Sequence, residues 1–150
     1  MTSRESAIVL AKALDSKKGM EIKVLKTEEL TTLADYFVIC TASSTTQIKA
    51  LSDVCEEAME RNGERVHHIE GHRGGTWVLM DFSSVVVHIF MDEARKFYDL
   101  ERLWGDAQEE DLSQVLKPEY ERTIKQTKRP VRLRTGLFGV RKKTTGKLVL

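Results

Sequence analysis

His67, His68 and His72 stand beside Glu70, residue types that ligate zinc, and on an extended chain His68, Glu70 and His72 would share a side. Their intervals match no established zinc pattern and the segment runs into Gly74-Gly75, so solvated imidazoles and no bound metal are expected. Cys40 and His88 have the types of a thiolate–imidazole pair. Both fall in continuous apolar runs, where burial raises a thiol's pKa and hinders substrate access. A structural role is expected for each, with His88 hydrogen-bonded to a neighbouring element. His72-Arg-Gly-Gly75 has the glycine content to bring backbone amides against a phosphate. The loop joins strand to strand, however, and neither a Walker motif nor a strand-to-helix G-x-G-x-x-G is present. Nucleotidyl transfer would need a D-x-D carboxylate pair for metal ions, and Ser83 occupies that place beside Asp81. Asp35, Glu70 and Asp81 remain separate strand-end carboxylates with no spacing that couples an acid to a base. No catalytic residue and no cofactor is expected.

The elements that position these residues follow from periodicity. Thr2 and Glu5 have capping-box spacing, and Ala7, Leu10, Ala11 and Leu14 recur at helical intervals until Gly19. Met20, Ile22 and Val24 alternate with charged residues, as in a half-buried strand. Tyr36–Cys40 is continuously apolar, which suits a central strand covered on both faces. Ser44 and Gln47 have the spacing of another capping box and open a second helix whose Ile48, Leu51, Val54, Cys55, Ala58 and Met59 form one stripe ending at Asn62-Gly63. A short strand over 66–70, a glycine loop, a strand from Trp77 to Met80 and a buried strand over 85–90 come next. The last two lie close enough for an antiparallel hairpin turning at 81–84. Asp92 is placed to cap a final helix, with Ala94, Phe97, Tyr98, Leu100 and Trp104 on its inner side. The order predicts an α+β or mixed α/β domain in which helices cover a five-stranded mixed sheet. Trp77, opening a strand next to the loop, is either core or a surface anchor; for Tyr98 and Trp104, core packing is favoured.

The 150 residues, 41% hydrophobic and 31% charged, exclude collagen-like, disulfide-scaffold and wholly disordered chains. Two cysteines, no long apolar run and no signal-peptide layout predict a cytoplasmic chain with free thiols and no membrane span. The formal net charge of +1 conceals a division. Residues 1–116 hold 13 Lys+Arg against 21 Asp+Glu, a net of −8, and residues 117–150 hold 11 against 2, a net of +9. An acidic body is followed by a basic tail. The tail's Arg132, Arg134, Arg141, Lys142 and Lys143 are candidates for salt-dependent RNA contact, with too few aromatics for a stacking platform.

Three segments are specific in combination: Ala34-Asp-Tyr-Phe-Val-Ile-Cys-Thr-Ala-Ser43; Glu70-Gly71 ahead of Trp77-Val-Leu-Met-Asp81; and Val85-Val-Val-His-Ile-Phe90 followed by Glu93-Ala-Arg95 and Tyr98-Asp-Leu-Glu-Arg-Leu-Trp104. In their order and spacing, over about residues 3–106, they closely resemble the ribosomal silencing factor family, the Iojap-like proteins. The resemblance implies a domain at 1–106, similar in fold to nucleotidyltransferases but lacking their catalytic carboxylates, and hence no enzyme. It implies binding to ribosomal protein fourteen of the large ribosomal subunit at the intersubunit face. That binding would block joining of the small subunit and repress translation when nutrients are scarce. The partner-binding residues it implies are Trp77 as the apolar anchor, Asp35, Glu70 and Asp81 as strand-end acids, and Tyr98, Glu101 and Trp104 on or beneath the last helix. A monomer or a homodimer is compatible with it. Family chains commonly stop soon after the Leu-Glu-x-Leu-Trp segment, so the extension at 107–150 is left to its own charge. A nucleotidyltransferase-like enzyme or nucleotide-binding module is the alternative.

Overall fold

The computed structural model describes residues 1–71 and 75–116, so His72 and the tail arginines and lysines lie outside the described residues. Helix α1 (Ser3–Ser16) begins with the expected capping box, in which Thr2 and Glu5 satisfy each other's backbone N–H groups. Strands β1 (Met20–Lys26) and β2 (Tyr36–Ala42) form an antiparallel pair. Helix α2 (Thr45–Arg61) is capped by Ser44. Gln47 serves elsewhere than expected, for its oxygen accepts from Ser43 and its amide donates to the Lys17 and Lys18 carbonyls, tying the α1–β1 corner to α2. Then come β3 (His68–Glu70), β4 (Trp77–Asp81), β5 (Val85–Met91), the short helices α3 (Asp92–Tyr98) and α4 (Leu100–Leu103), and β6 (Gln108–Glu109).

The sheet runs β3-β4-β5-β2-β1-β6, with β2 and β5 parallel and the other pairs antiparallel. The expected mixed sheet and central β2 hold, and all seven β2 residues are buried. Six strands replace the expected five because Gln108 and Glu109 pair with Lys26 and Leu25, closing the free edge of β1. Two residues carry no readable period, and only the distant edge makes them a strand. Beyond β6, Glu110 N–H donates to the Val24 carbonyl and Leu112 and Leu116 pack on the core, so the described body continues past 106.

The α1 and α2 stripes cover one sheet face through Leu10, Leu14, Leu51 and Met59 against Val24, Val38, Val78, Met80, Val87 and Ile89. The other face is covered only in part, by α3, α4 and the turn after them. Two helices stand where the periodicity predicts a single final one. Asp99 takes a left-handed conformation at φ 47° and ends α3, and Met91 rather than Asp92 occupies its N-cap without a side-chain bond. Phe97, expected on the inner side, is 81% exposed because Arg95 and Ala94 take the inward positions on this seven-residue helix.

Candidate functional site

Strand alternation assigns the partly covered face its residues. On β4, Val78 and Met80 enter the helix-side core, while Trp77, Leu79 and Asp81 point the other way and stay half-buried. Register carries this face across the sheet. Glu70 lies opposite Leu79 and His68 opposite Asp81 on the edge strand β3. On β5, Phe90, His88 and Val86 lie opposite Trp77, Leu79 and Asp81, and on β2 Phe37 and Ile39 continue the rows. The result is an aromatic centre flanked on its open side by Glu70 and His68 of the edge strand.

Trp77 stacks on Phe90 at 5.2 Å between ring centroids, with Tyr98 of α3 tilted against it at 4.7 Å. Tyr98 is 47% exposed, so the indole and phenol together present aromatic surface at the open margin. His88 sits beneath, with its ring at 7° to Phe90 and its Nδ1 accepting from Trp77 Nε1 at 3.3 Å. The neighbouring element expected to bond His88 is thus β4. Burial pushes the His88 pKa down to about 4, which keeps the ring neutral near pH 7. Trp104 meets Phe37 edge-to-face at 5.2 Å within the smaller core.

The acids fall into three settings. Glu70 is exposed and holds His68 Nε2 at 2.6 Å. Asp81 accepts from the Ser83 N–H at 2.7 Å, closing the β4–β5 turn where Ser83 has φ 77°. Asp35 lies at that same end of the sheet, its N–H donating to the Ser84 carbonyl. Glu101 faces inward to Arg95, at 2.8 Å. Burial works to raise its pKa, but the Arg95 hydrogen bond and charge outweigh that and hold it below the ordinary carboxylate range. The fold therefore gathers Trp77, Tyr98 and Glu70 on one open face, sets Asp81 about 13 Å from Trp77 by strand rise with Asp35 farther off at that same end, and engages Glu101 and Trp104 in supporting contacts.

Sequence reasoning did not find the exposure of Phe97 and Leu103, at 81% and 72%, or the partnership of Trp77 with His88. The alternation of Trp77, Leu79 and Asp81 against Val78 and Met80 is the signal that assigns the face. Among the described residues, no group of three or more His, Cys, Asp or Glu side chains is arranged to hold a metal ion. Among them also, no helix is long and apolar enough to cross a membrane.

A family profile described as "Ribosomal silencing factor during starvation" matches residues 1–135. The chain is 38% identical over 112 residues to the ribosomal silencing factor RsfS of Bacillus subtilis, covering 75% of this chain and 95% of that protein. It is 38% identical over 101 residues to the chloroplastic protein Iojap of Zea mays, covering 67% of this chain and 44% of that protein. A crystal structure of a Chromobacterium violaceum protein superposes with a TM-score of 0.69 at 34% identity, covering 75% of this chain and 93% of that one. A Bacillus halodurans structure gives a TM-score of 0.65 at 29% identity, over 73% of this chain and 99% of that one. A six-stranded mixed sheet bearing the three sequence segments, together with these matches, shows that the chain belongs to the ribosomal silencing factor family.

Proposed function

We propose that this protein is a non-catalytic silencing factor that docks its partly covered, acid-edged sheet face on ribosomal protein fourteen of the large ribosomal subunit. Docking at the intersubunit face would occlude the small subunit and repress translation when nutrients are scarce. The observation that carries the reading is the placement of Trp77 and Tyr98 as adjoining, partly exposed aromatics beside Glu70 on a body of net charge −8. Aromatic anchors dominate docking energetics, and negative charge speeds encounter with a basic ribosomal protein and disfavours wrong partners. In this reading Trp77 and Tyr98 make apolar contact, and Glu70, Asp81 and Asp35 supply charge. Glu101 and Trp104 hold α3 and α4 in place. Occlusion depends on affinity and concentration and needs no turnover. The chain acts in the cytoplasm, as a monomer or homodimer, and its basic tail touches ribosomal RNA through Arg132, Arg134, Arg141, Lys142 and Lys143.

Co-sedimentation with purified large subunits, followed by reassociation with small subunits, tests this directly. The expected result is stoichiometric binding and a dose-dependent loss of joined ribosomes. Absence of binding, or binding without loss of joining, overturns it. Deleting 117–150 should lower both affinity and its salt dependence; an unchanged salt slope removes the RNA contact.

A further inference from the structure

We infer that His88 is a positioning residue for docking: its Nδ1 accepts the Trp77 indole hydrogen bond and fixes the indole in the orientation that meets the partner. The inference rests on the docking reading above, in which Trp77 is the anchor.

An indole N–H only donates, so the 3.3 Å bond from Trp77 Nε1 requires the lone pair of His88 at Nδ1. The imidazole proton is then on Nε2. That atom is buried and, among the described residues, has no hydrogen-bond partner. The ring itself is only 5% exposed, packed edge-on to Phe37 at 5.1 Å and parallel to Phe90. An isolated buried donor is a cost that an apolar side chain of similar size would avoid. If filling space were the whole task, leucine would serve better at this position. What the imidazole supplies, and leucine does not, is the acceptor under the indole. Burial keeps that acceptor available by holding the ring neutral at neutral pH. The Phe90 ring stacked at 19° and the Tyr98 ring tilted at 40° limit the indole's tilt but hold its N–H edge in no particular direction. The hydrogen bond to His88 Nδ1 fixes that edge. A half-buried anchor is thereby ordered before it meets its partner, which lowers the entropy lost on docking.

Leucine and asparagine have the same four-heavy-atom side-chain skeleton branched at Cγ, and only asparagine retains an acceptor near the Nδ1 position. His88→Leu and His88→Asn, made in the full chain, therefore differ in the bond while sharing the cavity. The indole N–H resonances, assigned with Trp77→Phe, report the bond, and the dissociation constant for purified large subunits reports docking. His88→Leu should move the Trp77 indole resonance upfield, speed its exchange with solvent and weaken binding about ten-fold, while His88→Asn should stay within about three-fold. In a Trp77→Ala background, His88→Leu should cost nothing further. Equal affinities for the two variants, or a full loss persisting without Trp77, overturn the positioning role. Undiminished binding by Trp77→Ala alone overturns the docking reading instead, a separate result. Should His88→Leu fail to fold, Trp77→Phe removes the donor from the other side and is expected to weaken binding comparably; undiminished binding by it overturns the proposal.

Discussion

Arg95 and Glu101 join across the break at Asp99, with guanidinium Nε and Nη2 both donating to Glu101 Oε2, at 3.2 and 2.8 Å. The remaining arm of Arg95, Nη1, donates to Thr41 Oγ1 at 2.8 Å and to the Glu21 carbonyl, where β1 bulges and Glu21 has φ 48°. One buried side chain thus fastens α3, α4, β1 and β2 together. The short helices have too few residues to stand alone, so this fastening is what holds Tyr98 and Trp104 over the sheet.

Glu101→Gln should cost about 2 kcal/mol of stability. Removing one member of a buried pair leaves the other charge uncompensated, and Glu101's partial exposure puts the loss below the several kcal/mol of a fully enclosed pair. Urea unfolding measures it. A change under about 0.5 kcal/mol would mean that the pair does not hold the helices.

Acid should weaken the fold through His88 before it acts on the carboxylates. The folded pKa of about 4 lies below the ordinary 6.5, so the unfolded chain binds the extra proton between those values. Stability is then full above about pH 6.5, declines as pH falls, and by about pH 4 has lost on the order of 3 kcal/mol. Glu101, lowered in the fold, contributes in the same direction at lower pH, below its ordinary 4.5. On the same sheet face, Glu70 and Lys23 each stand two strands from His88, and Arg95 and Glu101 on the covering helices neutralise each other. His88→Asn should flatten the decline between pH 6.5 and 4.5 in urea unfolding series; an unchanged slope would assign it to other groups.

Glu70 is exposed, and its hydrogen bond to the equally exposed His68 contributes little to the fold. Glu70→Gln should therefore leave the melting temperature unaltered and slow association with large subunits about two- to three-fold at low salt, the difference vanishing at high salt. Stopped-flow association at two ionic strengths distinguishes this from a contact effect, which would appear in dissociation at both.

What the sequence made legible was local. The stripes of α1 and α2, their capping serine and threonine, and the apolar runs of β2 and β5 each arise within one segment, and the open face is readable as Trp77, Leu79 and Asp81 in alternation. What escaped depends on residues far apart in the chain. Two residues become β6 only because β1 offers an edge, and Arg95, a surface type, is buried because Thr41 and Glu21 wait for it. Asp99 breaks the last helix in a conformation that aspartate tolerates but does not announce. The Trp77–His88 bond requires the β4–β5 register, which places the two diagonally on one face.

Gly71 connects the edge strand to the anchor, and its substitution should damage docking beyond what stability alone explains. It has φ +89°, and a Cβ there would stand 2.0 Å from the Trp77 carbonyl oxygen. Alanine would incur about 1 kcal/mol for the left-handed backbone and, since no backbone atom tolerates that approach, would also push the start of β4 aside. The combined cost should reach about 2–3 kcal/mol, with the displacement falling on the residue that presents the indole. Gly63 supplies the control, for at φ +81° a methyl group added to it would meet nothing within 4 Å, and it lies at the end of α2, away from the sheet's open face. Gly63→Ala should cost about 1 kcal/mol and leave large-subunit affinity unaltered, while Gly71→Ala should lower the affinity of the folded fraction about ten-fold. Equal stability losses in the two variants, with affinity intact in both, would show that β4 absorbs the methyl group without moving Trp77.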